Sequence, residues 1–253
     1  MKLSGNNRLK INLVISGISA LTWLLLLVNP GQIMTIEHCH VSAAGPSATS
    51  LKMLLEMNPV SSQLIGWGLM VVAMMLPKLI LPIQSIYIQS LRRYRLPCAL
   101  VFVLGYLTAW MAAGVLMVGV IIGFNLLMPG SYIPALGVFI IAVIWQFSPL
   151  KQRFLNRGHE HYTLPAFGWP AYRGSLVFGL MHGVWCIGSG WALMLFPMLL
   201  PQGHNLAMIL VTYIMIAEHL EHPAALTWRV RVPLRLWRYT VAQTQMRLER
   251  LQG

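Results

Sequence analysis

Six long apolar runs constrain this chain more than any other feature: Ile11 to Val28, Gln63 to Pro82, Ala99 to Leu126, Pro134 to Phe147, Ser175 to Leu199 and Asn205 to about Glu221. About 20 consecutive apolar residues cross the hydrocarbon of a bilayer. Backbone polar groups must there be satisfied within the segment, so such runs become helices. With 57% hydrophobic and 9% charged residues, the composition is that of an integral membrane protein. The expected fold is all-α, a polytopic membrane helix bundle of about six transmembrane helices. The fourth run is short, so it must borrow from Ser131-Tyr132-Ile133 or fall short of one interface.

A net charge of +12 would suggest nucleic acid in a soluble chain; in a membrane chain the position of each charge matters more. Lys2, Arg8 and Lys10 precede the first run, and Arg92, Arg93 and Arg95 follow the second. Lys151, Arg153, Arg157 and Arg173 separate the fourth and fifth, and six arginines from Arg229 to Arg250 follow the sixth. The loops at 127–133 and 200–204 carry no Lys or Arg. The positive-inside rule therefore places both termini in the cytoplasm, and the basic excess reads as orientation and attraction to an anionic inner leaflet. The partners expected are the bilayer and other membrane subunits or further copies of the chain, with no nucleic acid.

This topology divides the chain into a six-helix transmembrane domain over 1–222, with an outer loop at 29–62, and a basic amphipathic cytoplasmic tail over 223–253. It also separates Cys39 outside from Cys98 at the cytoplasmic end of the third run and Cys186 at mid-membrane. A disulfide needs Cα atoms within about 7 Å, so none is expected within the chain. In the outer loop, His38-Cys39-His40 offers metal-ligand chemistry, although only His38 and His40 share a side of an extended chain. Leu51 to Met57 reads as a short interfacial helix.

Within the fifth run, His182-Gly-Val-Trp-Cys186 places an imidazole and a thiol one turn apart, on one helix face about 5–6 Å apart at Cβ. Ionisable groups inside a span mark a functional site with a partner to be found. At 1.5 Å rise per residue, Met74 and Met75 lie about 10–13 Å from the cytoplasmic end of their run and His182 about 10 Å from the end of its own. Glu218 is slightly shallower. Thioether and thiolate are soft donors that select Cu(I), while imidazole serves copper, zinc and iron. Metal ligation by His182, Cys186, Met74, Met75 and Glu218, with a copper ion as the bound species, is one expectation. A buried Glu218 carboxylate must be neutral, metal-bound, or paired with Lys78 or His182. The other expectation is packing: Gly179, Gly183, Cys186 and Gly190 form a small-residue stripe suited to close helix contact, and Lys78 is then expected to snorkel to the inner interface. Glu218-His219-Leu-Glu221-His222 has the wrong histidine spacing for the inverted zinc-peptidase motif. His159-Glu160-His161 is expected to be solvated.

Trp67-Gly-Leu-Met70-Val-Val-Ala-Met74-Met75-Leu-Pro77, Gly105-Tyr-Leu-Thr-Ala-Trp110, Ser148-Pro-Leu-Lys151 and His182-Gly-Val-Trp-Cys186-Ile-Gly-Ser-Gly-Trp191-Ala-Leu-Met194 resemble successive signatures of a bacterial family of predicted metal-binding integral membrane proteins of unknown function. The resemblance covers roughly residues 62–222 and implies a metal-related role for Met74, Met75, His182, Cys186 and Glu218. In the family pattern the loop after Pro-Leu-Lys holds two cysteines, where this chain has Phe154 and Gly158; further cysteines of the His-to-Met element are replaced by Ser189 and Gly190. A pure thiolate centre is thereby excluded. The chain has no recognisable nucleophile, cofactor motif or nucleotide loop. The expected function is a non-catalytic inner-membrane protein of bacteria, either metal-handling, with copper favoured by the donor set, or an accessory subunit of a larger membrane assembly. The alternatives are a transporter of a metal ion or small solute using Glu218 and His182 and, third, an integral-membrane oxidoreductase, which would need a redox cofactor.

Overall fold

The computed structural model describes residues 5–28, 48–57, 59–160, 162–228 and 244. Its elements are all helical: α1 (Gly5–Val28), α2 (Ala48–Met57), α3 (Val60–Met75), a 3-10 turn (Leu76–Leu79), α4 (Ile80–Gln89), α5 (Arg95–Leu127), α6 (Ile133–Phe147), α7 (Pro149–Gly158), α8 (Gly168–Met198) and α9 (His204–His219). The expected loop helix after the first run is α2. His38, Cys39, His40, His161 and the arginine-rich tail from Arg229 lie outside the described residues.

Among the described residues, four segments are long and apolar enough to cross a membrane: α1, the α3–turn–α4 unit over Val60–Gln89, α5 and α8. The fourth and sixth runs become the shorter α6 and α9, of 15 and 16 residues. At 1.5 Å per residue these reach about 22–24 Å, less than the roughly 30 Å of a hydrocarbon core. Helix α6 continues into α7 through a bend of 69°. Its cause is local. Pro149 disfavours helical geometry at the residue before it, and Ser148 is extended there (φ −65°, ψ 139°). The Ser148 hydroxyl then accepts from Leu150 N at 3.1 Å, capping α7 with Pro149 in its first turn.

The second run is broken as well. Pro77 lacks a backbone N–H and cannot continue the α ladder, so the chain passes through a 3-10 turn before resuming as α4.

The centre of the bundle is α5 against α8. Gly179 faces the backbone of Phe102, Gly183 faces Ala109 and the backbone of Tyr106, and Gly105 faces the backbone of Leu176, so any Cβ at these glycines would collide. The expected small-residue stripe is therefore real at Gly179 and Gly183, while Gly190 receives the Met215 side chain of α9. Around this pair, Trp67 of α3 covers Gly114 and donates from Nε1 to the Trp110 carbonyl at 3.1 Å. Ser19 of α1 donates to the Ala73 carbonyl at 2.7 Å, and Trp145 of α6 donates to the Gly188 carbonyl at 3.1 Å. Outward faces of α1, α5 and α6 expose Leu13, Leu21, Leu116, Leu136 and Ile140, whereas Lys78, Gln84, Lys151, Gln152 and His182 are buried.

Candidate metal centre

The 3-10 turn decides which side chains meet α8. In 3-10 geometry residues i and i+3 eclipse, so Met75, which caps the turn, and Lys78 within it project to the same side. Opposite them stands Cys186. Its Sγ lies 4.0 Å from Met75 Sδ and accepts hydrogen bonds from Lys78 Nζ at 3.3 Å and Tyr106 Oη at 3.2 Å. All four side chains are buried. The expectation that Lys78 snorkels to the interface is corrected: its ammonium turns inward because the turn, unlike a continuous α-helix, aims it at the sulfur.

Lysine offers three donors and no acceptor, and burying its charge alone is costly. Two donors, Lys78 Nζ and Tyr106 Oη, converge on Sγ, so the sulfur is the side-chain acceptor met by the buried lysine. His182, one turn before Cys186, is buried among Phe102, Tyr106 and Phe178, with ring centroids 6.0, 5.9 and 6.0 Å away. Met74 is fully buried in the same core, but the sulfur approaching Cys186 is that of Met75.

Glu218 does not join this layer. Its carboxylate pairs with Lys151 Nζ at 2.8 Å, with both side chains largely buried, and Gln146 bonds to both partners. Neither of the expected partners, Lys78 or His182, is used. A buried carboxylate takes the nearest cation able to neutralise it, and the α6–α7 bend swings Lys151 inward from what had read as a basic loop. His159 is half-buried, its Nδ1 2.8 Å from the Leu155 carbonyl and its Nε2 2.9 Å from the His219 carbonyl, while Glu160 is exposed as expected. Cys98 and Cys186 are both buried free thiols.

The donors set what can bind. Among the described residues no group of three His, Cys, Asp or Glu side chains is placed to hold a metal ion. Two sulfur ligands each about 2.3 Å from one ion stand about 4 Å apart at a trigonal angle, and Cys186 and Met75 match that spacing. The pair offers one thiol and one thioether sulfur, donors that suit a soft ion. Sequence reasoning missed Tyr106 and the inward Lys78. A hydroxyl at Tyr106, four residues from Phe102 and from Trp110 on one face of α5, was the available signal for the first.

The fold and this site define a helical protein with membrane-spanning capacity and a buried soft-donor centre. The chain belongs to the PpoB2 family, described as a copper chaperone, whose model matches residues 64–239. The match takes in α3 through α9 and so contains every residue of the centre. The family shown is copper-related, in place of the general metal-binding membrane family that the motifs resemble. No curated protein and no solved structure matches the chain.

Proposed function

We propose that the protein is an integral membrane copper-handling protein of the bacterial inner membrane, non-catalytic, carrying Cu(I) as cargo on Cys186 Sγ and Met75 Sδ with His182 as a third donor. The observation that carries this reading is the buried sulfur pair 4.0 Å apart. Membership of a copper-chaperone family supports the choice of metal. Membrane residence is supported by the inverted polarity of the bundle, with leucine and isoleucine outside and lysine, glutamine and histidine inside. Six crossings with both termini cytoplasmic would put sixteen of the 18 basic residues on the inner side. Service as an accessory subunit of a larger membrane complex, or as a homo-oligomer, fits the exposed apolar faces of α1 and α6. The transporter alternative relied on Glu218 beside His182, and the ion pair with Lys151 commits that carboxylate elsewhere.

The test is metal analysis of the reduced, Cu(I)-loaded protein in mild detergent. About one copper per chain is expected, with sulfur neighbours in X-ray absorption. Copper content that is at background, or that is unchanged in Cys186→Ala/His182→Ala, would overturn the assignment.

A further inference from the structure

A buried carrier site must be reached from somewhere, and the structure holds a row of imidazoles leading away from it. His182 lies one turn from Cys186 on α8. The His219 ring of α9 stands edge-on to His182 with centroids 6.4 Å apart, and His159 of α7 stacks on His219 at 5.3 Å. His219 also lies beside the backbone of Lys78, within the 3-10 turn. At the end of the row a cavity of about 110 Å³ opens between α4, α7 and α9, lined by Ser85, His159, Glu160, Tyr162, Phe178 and His219. At about 30 Å³ per water, it has room for a few water molecules or a donor group from outside.

We propose that this cavity is the mouth through which Cu(I) enters and leaves the Cys186–Met75 centre, and that His219 is the intermediate ligand between the mouth and His182. The inference rests on the reading of Cys186 and Met75 as the Cu(I) site. Spacing supports it. The His182 and His219 centroids stand 6.4 Å apart, a short step for an ion held about 2.0–2.1 Å from an imidazole nitrogen. The step from Cys186 to His182 is a similar length, about 5–6 Å at Cβ. An ion can therefore pass with one ligand always engaged.

Ligand number supports it too. Passage requires sites that bind well enough to enter and weakly enough to leave, and no set of three His, Cys, Asp or Glu ligands exists among the described residues to trap the ion. The softest donors are deepest and imidazole lies toward the surface, the order expected if the ion is retained at the sulfurs. The rim is held in place. Gln89 accepts from Leu164 N at 2.7 Å and donates to the Tyr162 carbonyl at 3.1 Å, fixing the 162–164 segment over α4. Asn156 donates to the Ala224 carbonyl at 2.8 Å and accepts from Ala224 N at 3.2 Å, fixing the chain after α9 to α7. With both nitrogens on carbonyls, His159 walls the mouth and holds His219 in position.

The experiment follows Cu(I) transfer from the loaded full-length protein in detergent to the water-soluble chelator bathocuproine disulfonate. His38, Cys39 and His40 are replaced by alanine throughout to silence the outer loop. His219→Leu is expected to slow transfer at least tenfold, and Ser85→Trp, which fills the mouth from α4, to slow it similarly. Both variants should reach the parent's copper content at long loading times and match its thermal unfolding midpoint. Parent-like transfer in both variants overturns the route, and so does loss of bound copper in His219→Leu at equilibrium, which would make His219 part of the resident site. A parent protein that takes up no Cu(I) overturns the carrier reading itself, and the route falls with it.

Discussion

Lys78 Nζ stands 3.3 Å from Cys186 Sγ, in a site where both side chains are buried. The pair joins the only structural break of the α3–α4 unit to the middle of α8, so the 3-10 turn is a means of delivering a charge to the sulfur. A hydrogen bond to a charged group is worth about 1.5–3 kcal/mol. Replacing the ammonium should therefore lower the reactivity of the thiol. With Cys39 and Cys98 changed to serine, Lys78→Met is expected to slow alkylation of Cys186 by a membrane-permeant maleimide by about tenfold or more, since 1.4 kcal/mol is a factor of ten. Lys78→Arg, which keeps the charge, should stay closer to the parent rate. Equal rates in the parent and Lys78→Met would show that the ammonium does not activate the sulfur.

The Lys151–Glu218 pair is a second buried charge pair, 2.8 Å long and shared with Gln146. It ties the α6–α7 bend to the end of α9. Breaking such a pair from one side leaves an uncompensated buried charge and costs about 3–5 kcal/mol, whereas replacing both partners with apolar groups is often neutral. Lys151→Met and Glu218→Leu should each lower the unfolding midpoint in detergent, and the double variant should recover most of the loss. Strictly additive losses would mean that the two charges are not coupled.

Much of the bundle was legible because apolar length alone identifies a spanning helix. The first, second, third and fifth runs became α1, α3–α4, α5 and α8, and the fourth run ends at Phe147 as α6 does. The angle of the bend was not legible, since it depends on how α7 packs against α8, with Phe154 against Gly188. At the site, the spacing of His182 and Cys186 was enough to place both side chains in the interior. Lys78 was misjudged because the snorkelling expectation assumes an uninterrupted α-helix. Met75 and Lys78 eclipse only where the ladder tightens to 3-10 geometry. Glu218 was misassigned because its partner is 67 residues away and only the tertiary bend supplies it.

Gly179 tests the close contact of α5 and α8. A Cβ there would collide with the Phe102 backbone, which cannot move as a side chain could. Overpacking of a tight interior costs about 1–3 kcal/mol, so Gly179→Ala should lower the unfolding midpoint and displace His182, one turn further on. Gly123→Ala on α5 is the control, because nothing lies within 4 Å of a Cβ at that position. There the higher helix propensity of alanine should leave stability unchanged or raised by up to about 1 kcal/mol. Equal losses at the two glycines would argue against the packed α5–α8 contact.

Met74 and Met75 are neighbours of identical chemistry and equal burial, and they separate a ligand role from a packing role. Successive helical residues point about 100° apart, so both cannot face Cys186, and Met75 Sδ is the one found 4.0 Å from the thiol. Leucine preserves most of the methionine volume and such swaps cost less than about 1.5 kcal/mol, which keeps the comparison free of gross unfolding. Met75→Leu removes a soft donor and should weaken Cu(I) retention against a competing chelator by at least tenfold. Met74→Leu should retain the ion like the parent. The unfolding midpoints of the two apoproteins should agree within a few degrees, so a difference in retention reports the thioether itself. Equal retention in the two variants would remove Met75 from the ligand set and leave Cys186 and His182 to hold the ion alone.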